Sequence, residues 1–151
     1  MGRTDEDEMN INVYNLHEDQ WAGKSDYIGR PGVLGNPFAI GRDGNREAVV
    51  EKYRTYLNGI VQAGLRGEFS AVVVTSTLTK EVESALRTGE LSSPALRACV
   101  WHSVMELLRR ARAGERLNLL CYCKPLDCHG DVMKRCLEWL NERLKPETLK
   151  R

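Results

Sequence analysis

The chain has 151 residues, of which 42% are hydrophobic and 28% charged, and a formal net charge of +1 at neutral pH. That length bounds one domain with a core that needs no covalent staples, and the near-neutral balance excludes the broad basic field of a non-specific duplex binder. No apolar run approaches the roughly 20 residues of a membrane span, so neither membrane nor duplex nucleic acid is an expected partner.

The first eight residues carry Asp5-Glu6-Asp7-Glu8 and read as a flexible acidic tail, too polar for a secretory signal. A single α/β domain is expected over 9–144, followed by a charged tail over 145–151. Ile11-Asn12-Val13-Tyr14 alternates apolar and polar, which predicts a first strand within Met9 to Leu16. His17 to Lys24 is polar and reads as a loop, and Tyr27-Ile28-Gly29-Arg30 as a short second strand.

The next stretch, Gly29-Arg30-Pro31-Gly32-Val33-Leu34-Gly35-Asn36-Pro37-Phe38, is too rich in glycine and proline for a helix or a long strand. Proline fixes φ and biases its predecessor toward extended geometry, and glycine allows positive φ or close backbone approach. A stiff loop with amides free to face a ligand is the expected result. Arg30 can bind a phosphate or carboxylate bidentately. Asn36 can read an amide or base edge, or close its own turn. Phe38 can stack on a flat ring or anchor the loop in the core. Arg42 and Arg46 flank the following helix.

That helix is predicted over about Arg46 to Ala63 from the stripe Val49/Val50, Tyr53, Tyr56/Leu57 and Ile60/Val61, with Asn45 as N-cap. Ala71-Val72-Val73-Val74-Thr75-Ser76 is β-branched and predicts a strand. Glu81 to Thr88 predicts a short helix closed by Gly89, and Ser93-Pro94 opens a longer one that ends at Gly114. Arg116 to Tyr122 is a strongly apolar strand, and a last helix runs from Cys128 or Gly130 to Leu144. This alternation predicts a small Rossmann-like α/β sheet of about three to five strands flanked by helices, in one domain.

Chemistry concentrates in Leu120-Cys121-Tyr122-Cys123-Lys124-Pro125-Leu126-Asp127-Cys128-His129-Gly130-Asp131. A strand that ends beside a helix N-terminus is where α/β proteins place ligands. Cys121 and Cys123 share a strand face, and Lys124 to Asp127 form the turn. At the helix start, free N–H groups and the dipole favour either a thiolate at Cys128 or a bound phosphate. His129 suits a general base, an anion donor or a residue held by the turn, with Asp131 orienting it or serving the dipole alone. Cys121 also reads as a small core residue, Asp127 as a helix cap, and Cys99 and Cys136 as apolar-face structural thiols. His17 and His102 read as structural or surface residues. Cys121, Cys123, Cys128 and His129 are soft zinc ligands with spacing poorly suited to one ion, so no metal and no cofactor is expected. Five cysteines, an odd count, read as reduced thiols in a cytoplasm.

Taken together, the Gly-Arg-Pro…Leu-Gly-Asn-Pro-Phe loop and the Cys-x-Cys-x-Pro…Cys-His-Gly-Asp segment resemble a small family of bacterial and phage proteins catalogued as a domain of unknown function. The resemblance spans about Ile11 to Leu140 and departs at Phe69 to Arg112, a longer segment that offers a strand or an oligomer contact. It implies a compact α/β domain, often phage-borne, whose two motifs form one site, and a looser likeness to nucleotide-binding Rossmann-like domains of bacterial signalling and phage counter-defence.

The expected function is capture of a small nucleotide-derived ligand, of ADP-ribose or cyclic-nucleotide type. The expected binding residues are Gly29, Arg30, Pro31, Gly35, Asn36, Pro37, Phe38, Arg42, Cys123, Pro125, Cys128, His129, Gly130 and Asp131. The alternative is an enzyme that cleaves a glycosidic, phosphoryl or acyl bond with Cys128, His129 and Asp131 as catalytic candidates. A zinc-stabilised interaction module is a third reading.

Overall fold

Three short strands organise the chain: β1 (Ile11–Asn15), β2 (Asp26–Tyr27) and β3 (Leu117–Cys121). In the computed structural model, which describes residues 9–30, 32–73, 75–122, 126 and 128–144, they form one sheet of order β1-β3-β2. Both pairings are parallel, with Asn15 opposite Cys121 and Tyr27 opposite Leu120. All three strands therefore end along a single edge. The acidic and charged tails expected at 1–8 and 145–151 lie outside the described residues, as do Pro31, Val74, Cys123, Lys124, Pro125 and Asp127.

Every residue of β3 is buried, which is why that strand reads so strongly as apolar. Leu117 and Leu119 point to one face and join a core that includes Tyr53, Leu108, Met133 and Leu137. Asn118 points to the other, where its amide donates to the carbonyls of Ala22 and Lys24, 2.9 Å each. Tyr14 stacks on Trp21 beside it. The polar segment after β1 thus closes one face of the sheet.

Four helices supply the rest: α1 (Arg46–Leu65), α2 (Ser76–Thr88), α3 (Pro94–Arg112) and α4 (His129–Arg143). Asn45 and Ser93 cap α1 and α3 as their positions imply, accepting from the amides of Ala48 and Leu96. Gly89, with φ of 77°, closes α2. Arg110 of α3 clamps β2 through a two-pronged bond to Asp26, both contacts at 3.0 Å. None of the described helices is long and apolar enough to cross a membrane.

Three expectations are corrected. The described residues of the β-branched stretch Ala71 to Ser76 form no strand: β2 holds the place beside β3, Val73 is exposed, and Thr75 accepts from the Leu78 amide to cap α2. That cap starts α2 at Ser76, five residues before the Glu81 predicted. The second strand is also shorter than Tyr27 to Arg30, because a turn begins at Gly29 and draws the chain away from β3.

Candidate functional site

Beyond β2, the Ile28 amide still bonds to the Leu120 carbonyl at 3.0 Å before the chain turns. Two turns then follow head to tail, Gly32 N–H to the Gly29 carbonyl and Gly35 N–H to the Gly32 carbonyl, 3.0 Å each. Glycine is required here for space. A Cβ on Gly35 would lie 2.7 Å from the Arg30 nitrogen and 2.9 Å from the Gly29 carbonyl carbon. One on Gly29 would run into the Tyr27 ring. Of the two uses of glycine expected for this loop, close approach is the one these two residues serve, since positive φ occurs elsewhere.

Side chains fasten the loop on three sides. The Tyr27 hydroxyl donates to the Arg30 carbonyl at 2.6 Å. The Tyr53 hydroxyl donates to the Leu34 carbonyl at 2.8 Å. Asn36 donates to the Val49 carbonyl at 3.1 Å and accepts from the Phe38 amide at 2.9 Å. Asn36 therefore closes its own turn and ties the loop to α1. Phe38 is half-buried, edge-on to Tyr56 and near the Lys52 ammonium. Arg42 is tied to Asp43 and to the Pro37 carbonyl, 2.9 Å each.

The cysteine segment leaves β3 beside this loop. Cys128, the N-cap residue of α4, makes no side-chain capping bond. Its Sγ lies 3.3 Å from the Cys121 Sγ, and both thiols are buried. The neighbouring sulfur, then burial, push the Cys128 thiol well above the ordinary cysteine value. The thiolate expected from the helix dipole is thus outweighed: an adjacent thiol and lost solvation act against the charge more strongly than the dipole acts for it. The Asp131 carboxylate sits 3.9 Å from the Cys128 Sγ, in the first turn of α4. A Cβ on Gly130 would meet Val13 at 2.7 Å, so this residue lets α4 press against β1. Burial pushes the Cys136 thiol up to about 12 and raises Cys99 too, in keeping with structural roles on their helices.

His129 joins the two segments. Its Nε2 lies 2.6 Å from the Ile28 carbonyl, one residue before the Gly-Arg-Pro turn. A carbonyl only accepts, so Nε2 carries the proton. The ring meets Tyr53 edge-on, with centroids 5.2 Å apart. Burial pulls its pKa below the usual 6.5, the Arg30 charge acts in the same direction, and the Ile28 bond and Asp131 oppose. The native ring is held neutral, so the unfolded chain takes up a proton more readily. This contribution to stability is complete above the ordinary value of 6.5 and is lost as pH falls through it. One proton limits the slope to about 1.4 kcal/mol per pH unit. His129→Gln, which can keep a donor near the Ile28 carbonyl but does not titrate, is expected to flatten thermal stability between about pH 7 and pH 5. An unchanged slope in Tm measurements would place that titration elsewhere.

The two motifs therefore meet, but the open hollow next to them has a different far wall. A cleft of about 520 Å³ is lined by Arg30, Gly32, Gly35, Pro37 and Arg42 on one side. Glu83, Arg87, Thr88 and Gly89 from the end of α2 line the other. The end of α2, within the 69–112 segment, supplies that wall, and Arg87 was not among the residues the motifs indicated. Cys128, His129, Gly130 and Asp131 do not line the cleft, and His129 is the one among them that bonds to the chain entering the loop, at the Ile28 carbonyl. Pro31, Cys123 and Pro125 lie outside the described residues, and among those described no group of three or more histidine, cysteine or acidic side chains is placed to hold a metal ion.

No curated protein and no solved structure matches this chain. A family model described as Domain of unknown function (DUF4326) matches residues 11–139, a span that takes in β1, the glycine-proline loop, the cysteine turn and most of α4. Sharing that span of sequence, which holds both halves of the site, the chain belongs to the family Domain of unknown function (DUF4326).

Proposed function

We propose that the protein binds a small nucleotide-derived anion, of ADP-ribose or cyclic-nucleotide type, and holds it without turnover. The observation that carries this reading is the cleft of about 520 Å³ with Arg30, Arg42 and Arg87 on its walls and the paired glycine turns on its floor. Its size falls within the range of small-molecule sites, and its Arg30 wall begins three residues beyond the carboxyl end of β2. Arginine forks suit phosphate oxygens. Arg42 is already tied to Asp43, so Arg30 and Arg87 are the arginines assigned to the ligand.

The enzyme reading has less support. A nucleophile must be exposed and ionisable, whereas Cys128 is buried against Cys121 and its thiol is raised. His129 directs its one N–H at a backbone carbonyl. Capture without cleavage is also the chemistry a counter-defence protein needs if it is to remove a signalling nucleotide.

The test is incubation with a panel of nucleotides, cyclic nucleotides and ADP-ribose, with the free ligand measured before and after heat denaturation. One ligand is expected to disappear and return unaltered. Arg30→Ala is expected to weaken its capture about tenfold or more, the worth of a charge-assisted hydrogen bond. New products would favour the enzyme, and an undepleted panel would overturn binding.

A further inference from the structure

Three aromatic side chains stand at the edge where the strands end, and none is among the residues assigned to binding from the two motifs, although Tyr122 lies between Cys121 and Cys123. His17 follows β1 by two residues, Tyr27 ends β2, and Tyr122 follows β3. Tyr122 is 53% exposed and Tyr27 40% exposed. Their ring centroids lie 5.7 Å apart in an edge-on arrangement, and the His17 ring lies 5.1 Å from Tyr122 on a tilted plane.

These rings are exposed but anchored. Buried Asn15 donates to the Tyr122 carbonyl at 3.1 Å and accepts from the His17 amide at 2.8 Å, so one side chain fixes two of the three backbones. Tyr27 is held by its bond to the Arg30 carbonyl. Partial burial and then the Tyr122 neighbour push its hydroxyl up to about 12, which keeps that donor protonated. Aromatic faces open to solvent, on braced backbones and in contact with one another, suit stacking of a flat heterocycle.

The same Arg30 whose carbonyl anchors Tyr27 also lines the arginine cleft. An aromatic surface and an anion-binding wall thus adjoin at one residue. A nucleotide has matching parts, a flat base joined to phosphate.

We infer that Tyr122, backed by Tyr27 and His17, is the base-stacking side of the site and selects nucleotides over sugar phosphates and inorganic anions. The inference rests on the nucleotide reading above and adds to it the residues that recognise the base.

The experiment uses the full chain, with ADP-ribose as probe and inorganic pyrophosphate as competitor. Wild-type protein is expected to bind ADP-ribose and to dim the adenine absorption band, the signature of stacking. Tyr122→Ala is expected to weaken ADP-ribose binding by about 5- to 150-fold, the equivalent of about 1–3 kcal/mol, and to abolish the dimming. Tyr122→Trp should restore both. Pyrophosphate, which has no ring, should compete equally at wild type and Tyr122→Ala, and Arg30→Ala should lose it. A Tyr122→Ala protein that binds ADP-ribose as wild type does, or bound adenine with undiminished absorption, overturns the stacking site and leaves phosphate capture standing. Failure of wild type to bind ADP-ribose overturns the stacking site, and failure across the whole nucleotide panel overturns the parent reading as well.

Discussion

Truncating Tyr53 to alanine is expected to lower stability by about 3–5 kcal/mol, the range for removing a large buried ring. Tyr53 is 1% exposed and sits in the main core. It is also the side chain that touches both halves of the site: its hydroxyl holds the Leu34 carbonyl at 2.8 Å and its ring packs against His129. Burial drives the hydroxyl well above the usual tyrosine value, so it remains a donor. Alanine therefore leaves a cavity and frees the loop in one step. Tyr53→Phe separates these effects. It keeps the ring, forfeits the Leu34 bond, and should cost about 1 kcal/mol. Urea unfolding of both variants, with amide exchange at residues 32–36, measures the two contributions. A Tyr53→Phe protein with unchanged exchange in that segment would show that the loop is fastened elsewhere.

Gly35→Ala is the second large effect, expected at about 1–3 kcal/mol of destabilisation with loss of ligand capture. The atoms that a Cβ would meet, Arg30 N and Cα and the Gly29 carbonyl carbon, all belong to the backbone. No side chain can rotate away, so the paired turns must open, and Arg30 moves with them. Gly59 in α1 is the control, because a Cβ there meets nothing within 4 Å. Gly59→Ala should stabilise by up to about 1 kcal/mol through helix propensity and leave capture intact. Equal behaviour of the two variants would mean that the turn geometry does not matter to the site.

Where a side-chain pattern was long or a cap chemically distinctive, the chain could be read directly. The stripe from Val49 to Val61 set α1, Ser93-Pro94 set the start of α3, and the apolar run before Tyr122 set β3. The strand read at Ala71 to Ser76 failed because β-branched residues record a preference for extended backbone, and a strand also needs a partner edge. Long-range contacts were harder still. That Cys128 meets Cys121 rather than a cation decides the thiol's charge state, and spacing gives no access to it. Tyr122 was visible as a residue on the face opposite the cysteines, but its exposure depends on what covers the strand exit. Arg87 was legible only as a charge on a helix until α2 came to rest beside the loop. Buried Asn15, which ties the end of β1 to Tyr122, and buried Asn118, which ties β3 to the segment after β1, looked like ordinary polar positions in strands.

The order of the sheet also sets the timing of assembly. The middle strand is the last to be made, and Asn15 waits for Tyr122, 107 positions downstream, before its amide finds the carbonyl it holds. During synthesis from the amino end, the first three helices emerge and pair through neighbouring segments while both outer strands still lack anything to zip onto. Such distant pairing pays its loop-closure entropy before any contact rewards it, which makes folding slow. Ribosome-bound chains halted before residue 117 should accordingly hold helices without a sheet, because β3 is the strand that bridges β1 and β2.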